Sequence, residues 1–63
     1  MKIKIKPTAK ASKRTKERIK QHGPTFWLES KAIDAFRSEW LLKSKTGWFG
    51  WLPLNEFEIF DTE

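Results

Sequence analysis

The run EWLLKSKTGWFGWLPLNEFEI, from Glu39 to Ile59, decides how this chain folds. Glu39 to Ser44 is a short β-prone stretch, and Lys45-Thr46-Gly47 reads as a hairpin turn in which Gly47 supplies a positive φ. Gly47 to Leu52 forms the returning strand. Glu56 to Phe60 then alternates acidic with apolar residues, the period-two pattern of a half-exposed strand. Working outward, Thr25-Phe26-Trp27-Leu28 is another β-prone run, while Ala32 to Arg37 stays open between a helical turn and a loop. Further back, Ala9 to His22 carries helix formers, with Ser12 available as N-cap. Gly23-Pro24 supplies a left-handed stop and then a residue that cannot continue the helix. The opening MKIKIK alternates apolar and charged residues until Pro7 and predicts one more strand. The expected class is mainly β with one helix (α+β). Residues 1–24 form a basic strand or arm and helix, residues 25–63 a small β-barrel, and the two make one folding unit. A barrel is favoured over a sandwich because closure leaves fewer exposed edges.

Composition narrows the function classes. The chain has 63 residues and no cysteine, so disulfides and thiolate zinc sites are excluded as staples and packing must hold the fold. All nine aromatic residues lie between Phe26 and Phe60, which confines most core material to the second half. No apolar run approaches the length of a membrane span, and no signal-peptide stretch is visible, so a cytoplasmic protein is expected. The net charge of +5 is unevenly spread. Residues 1–31 carry ten Lys and Arg against Glu17 and Glu29, a net of +8. Residues 32–63 carry Arg37, Lys43 and Lys45 against six carboxylates, a net of −3. Such a field steers one end of the molecule toward a polyanion.

Glu39 to Ile59, about a third of the chain, resembles the C-terminal half of an SH3-type barrel. Trp40 opens a strand, Gly47-Trp48-Phe49-Gly50 reproduces the family's glycine spacing, and Trp51-Leu52-Pro53-Leu54-Asn55 precedes the last apolar strand. The resemblance implies an SH3-like barrel with a short 3₁₀ turn around Asn55, Leu52 inward and Trp51 partly outward. The chain departs from the peptide-binding members of that family, since it has no tyrosine at all and Glu56 follows the Asn. Binding of proline-rich peptides is therefore not implied.

On the helix, Ala11, Thr15, Ile19 and His22 fall at spacings of four, four and three and give one narrow docking stripe. Lys13, Arg14, Lys16, Arg18 and Lys20 cover much of the rest and are the candidate phosphate contacts. Trp27, Trp40, Trp48 and Trp51 are the candidate partner-binding residues, able to stack on bases or to anchor a protein interface. The expected function is a small nucleic-acid-binding accessory protein, for DNA or RNA. The alternative is a protein-interaction module, an adaptor or inhibitor anchored by exposed tryptophans. Lys2, Lys4 and Lys6 have a structural reading as well: if the first strand pairs with Glu56 to Phe60, those lysines meet carboxylates across strands. His22 is expected to interact with the helix C-terminus. No nucleophile with an accompanying base, no phosphate-cradling glycine loop and no metal-ligand set is legible. No enzyme, cofactor or small-molecule substrate is expected.

Overall fold

The computed structural model of the chain describes residues 1–34 and 38–62. Its elements are β1 (Lys2–Pro7), α1 (Lys13–His22), β2 (Thr25–Ile33), β3 (Ser38–Ser44), β4 (Phe49–Pro53), a 3₁₀ turn (Leu54–Glu56) and β5 (Phe57–Thr62). All strand pairs are antiparallel, in the order β4-β3-β2-β1-β5. The mainly β fold with a single helix is the class the sequence predicts. The open question at residues 32–37 is answered at its start, where Ala32 and Ile33 end β2; residues 35–37 lie outside the described residues.

Strand alternation sorts the residues into two faces. Ile3 and Ile5 of β1, Phe26 of β2, Leu42 of β3, Leu52 of β4 and Phe57 of β5 all point inward. Ile19 of α1 packs with them and Thr15 beside it is also buried, so the middle of the predicted helix stripe docks on the sheet, while His22 at its end is half-buried. The lysines of β1 fall on the other face, where Lys6 stands opposite Glu58 with Nζ 3.5 Å from the carboxylate and Lys4 stands opposite Asp61. The pairing of the first and last strands, which the sequence leaves open, is thus present. Both partners of Lys6–Glu58 are more than half exposed, so the pair sets register more than it adds stability.

Four local expectations need correction. The sheet is not closed in the way a full barrel requires, because β5 leaves the 3₁₀ turn to pair with β1 and leaves β4 as the opposite edge. The helix begins at Lys13, directly after the predicted Ser12 cap, whose side chain accepts from the Thr15 amide at 3.2 Å, so Ala11 is buried ahead of the helix and not on it. Gly23 is extended, at φ −98° and ψ −164°, and is not the left-handed stop that its place before Pro24 predicts. Glycine serves there for close approach, since a Cβ would come within 2.7 Å of both the Ile19 carbonyl oxygen and the Phe26 ring. The left-handed position is Gly47, at φ 91°, where a Cβ would meet open space and only the backbone demands glycine. Finally, the His22 ring does not bond the helix-end carbonyls. Its Nδ1 lies 2.9 Å from Thr46 Oγ1 in the β3–β4 turn, and Gly23 N–H donates to the Ile19 carbonyl.

Candidate nucleic-acid interface

The candidate interface is organised around Trp48. Its indole stacks on His22 with centroids 5.0 Å apart and planes 4° from parallel, and the Arg18 guanidinium lies 5.3 Å from its ring centre. Phe26 meets it edge-on. Gly50 makes this possible, because a Cβ there would overlap the Trp48 ring. The turn beneath is held by buried Ser44, whose Oγ accepts from the amides of Thr46 and Trp48 at 3.2 and 3.1 Å. The helix is thereby fastened to the β3–β4 hairpin along its Arg18 and His22 side.

A second fastening holds the helix start. Thr8 Oγ1 donates to the Asn55 carbonyl at 2.7 Å, and Ser12 N–H donates to Glu56 Oε1 at 2.6 Å. The first helical turn contains no acid of its own, so Glu56 supplies from 44 residues away the negative charge that a helix N-terminus favours. The amide hydrogen bond from Ser12 holds the Glu56 carboxyl below its ordinary value of 4.5; desolvation opposes it, and hydrogen bonds from the Ser12 and Thr15 side chains add lesser help. A depressed carboxyl contributes stability that is present above its unfolded value and is lost as pH falls through the folded one. Glu56→Gln should therefore lower stability at pH 7 by about 1 kcal/mol or less and flatten the loss of stability below about pH 4.5. Denaturant melts of both proteins across pH 3–7 check this; parallel pH profiles would remove Glu56 from the clamp.

Between the two fastenings an open groove of about 560 Å³ runs along the outer side of β4. Arg14 and Arg18 line it from the helix, and Trp48, Phe49 and Trp51 line it from the sheet. Glu39 and Glu56 also border it. The five candidate cations are thus divided. Arg14 and Arg18, one turn apart, flank the buried stripe on the groove side, whereas Lys16 and Lys20 lie about half a turn round the helix, and Lys13 borders a shallower hollow with Arg14 and Arg18. The four tryptophans are divided too. Trp51 is exposed at 46%, Trp27 and Trp48 are half-buried, and Trp40 packs on the core edge-on to Phe57 with its indole Nε1 buried and without an acceptor. Of the four, only Trp51 is the exposed anchor expected of all of them. Phe49, exposed at 53% and not singled out by the sequence, joins it.

Comparison of the chain with protein-family models, with curated proteins and with solved structures finds no match. Among the described residues no helix is long and apolar enough to cross a membrane.

Proposed function

We propose that this chain is a non-enzymatic nucleic-acid-binding protein of SH3-like design, with the groove between α1 and β4 as its contact surface. The observation that carries this reading is the meeting of Arg14 and Arg18 with Phe49, Trp48 and Trp51 in one open groove. Guanidinium groups suit phosphates by charge and by their forked donors, and aromatic rings offer bases a stacking partner. The SH3-like reading draws support from the consecutive β2-β3-β4 meander, the 3₁₀ turn at Leu54–Glu56 and the return of β5 beside β1.

A salt series tests the proposal. If all five helix cations engage duplex phosphates, log affinity should fall against log salt with a slope of about −4.5; if only Arg14 and Arg18 do, the slope is about −1.8. Absence of binding to duplex and single-stranded oligonucleotides at about 50 mM salt, where such interactions are weakly screened, would reject the reading.

One observation favours a protein partner instead. β4 is an edge strand with Phe49 and Trp51 exposed on it, and an unpaired edge is a template for another strand. That reading predicts weak salt dependence and sensitivity to Trp51→Ala.

A further inference from the structure

The face of the sheet turned away from α1 carries a row that no single strand reveals. Register places Lys2 of β1 opposite Trp27 of β2, Trp27 opposite Lys43 of β3, and Lys43 opposite Phe49 of β4. Directly opposed residues share a face, so cation and aromatic alternate along a line across four strands, about 14 Å long at the usual strand spacing. Lys2 Nζ lies 6.0 Å from the Trp27 ring centre and Lys43 Nζ lies 5.4 Å from that of Phe49. Trp51 stands beside Phe49 on the same face, opposite Leu41. The neighbours of these residues along each strand, Ile3, Phe26, Leu42 and Leu52, point the other way into the core. Glu39 shares the face at its far end, opposite Pro53.

We propose that this row is a track for a single-stranded polynucleotide, continuous with the groove through Phe49 and Trp51, which border both. The proposal rests on the nucleic-acid reading above and narrows it to single strands. Cross-strand cation–aromatic pairs also stabilise a sheet without any ligand. Three features go beyond that role. The two rings at the β4 end are about half exposed, Lys43 is exposed beside them, and the row leads into a groove bordered by two arginines. Phosphates complement the lysines and arginines, and base faces complement the rings. Trp27 and Phe49 stand two strands apart, about 10 Å, whereas a duplex strand keeps its bases stacked at about 3.4 Å and turned inward. Only unstacked bases can lie on these rings.

The chemistry named is common to single-stranded DNA and RNA, so the probes are oligo(dT) and oligo(U) of about 12 nucleotides, within the range one small β-barrel fold covers, beside a duplex of equal length. The variants are Phe49→Ala and Lys43→Ala, both at exposed positions, and retention of the thermal transition reports that they fold. The expected result is binding of one or both single strands in preference to duplex. Phe49→Ala should weaken that binding about tenfold or more. Lys43→Ala should reduce the magnitude of the salt slope by about 0.7, the share of a single neutralised phosphate on a single strand, which a purely structural lysine would leave unmoved. A single-strand salt slope left unchanged by Lys43→Ala would overturn the track and leave the groove reading standing, because Lys43 borders the row alone whereas Phe49 borders both. Binding of duplex alone would overturn the track as well, and no binding by the unaltered protein would overturn both.

Discussion

A chain lacking residues 1–6 is expected to lose its cooperative fold altogether. β1 sits between β2 and β5, so its removal leaves β5 with no partner strand and cuts the sheet back to a three-stranded meander. It also takes Ile3 and Ile5, each 1% exposed, out of the core they share with Phe26, Phe57 and Ile19. Deleting the side chain of one buried Ile costs about 2–5 kcal/mol. A domain of 63 residues has only about 3–9 kcal/mol in total at 0.05–0.15 kcal/mol per residue. Two such deletions alone reach that total before the broken backbone hydrogen bonds are considered, among them Ile5 N–H to the Pro24 carbonyl at 3.0 Å and Leu28 N–H to the Met1 carbonyl at 2.9 Å. The exposed Lys6–Glu58 pair adds little to this sum. Circular dichroism and a denaturant melt of the shortened chain are the measurements. A cooperative transition close to that of the full chain would mean that the first strand is an appendage and that its lysines are available for another role.

The strand that carries this prediction is readable because its information is local. Six residues that alternate Lys with Ile and then meet Pro7 specify a half-buried strand without reference to anything else. The same holds for the Ser12 cap and the Gly47 turn, each encoded within a few residues, whereas the 3₁₀ turn before Phe57 is implied only by the resemblance to SH3-type barrels. What stays hidden depends on packing across the chain. Gly23 looks locally like a left-handed stop, yet its reason is the Phe26 ring packed against it. His22 looks like a helix-end charge, but Trp48 and Thr46, from a hairpin more than twenty residues later, capture its ring. Glu56 reads as one more exposed acid on an alternating strand until the fold brings Ser12 to it. The candidate site follows the same division. The basic helix and the aromatic strands are both legible, while the roll of the helix, which sends Arg14 and Arg18 into the groove and Lys16 and Lys20 away from it, is set by how Thr15 and Ile19 dock. The row of Lys2, Trp27, Lys43 and Phe49 requires three strand registers, none of which is written in any one segment.

That roll makes the second large effect specific to two residues. Arg14→Glu with Arg18→Glu should weaken nucleic-acid binding by about 100-fold to 10,000-fold near physiological salt, since each charge-assisted hydrogen bond to a phosphate is worth about 1.5–3 kcal/mol. The introduced carboxylates repel the phosphates besides. Lys16→Glu with Lys20→Glu changes net charge by the same amount from the far side of the helix and should cost less than about tenfold, through the weaker, salt-screened field alone. Folding should survive in both. Surface substitutions cost within about 0.5 kcal/mol each, and the interaction of Arg18 with Trp48 adds about 0.5–1 kcal/mol to the first pair. Equal effects from the two pairs would show that only net charge matters and that the groove has no special part. If instead neither pair affects a partner recovered with the protein while Trp51→Ala releases it, the edge of β4 is a protein-binding strand and the arginines are bystanders. Loss of folding in the first pair alone would mean that Arg18 holds Trp48 in place, and Arg18→Lys, which keeps a cation over the ring, should then restore the fold.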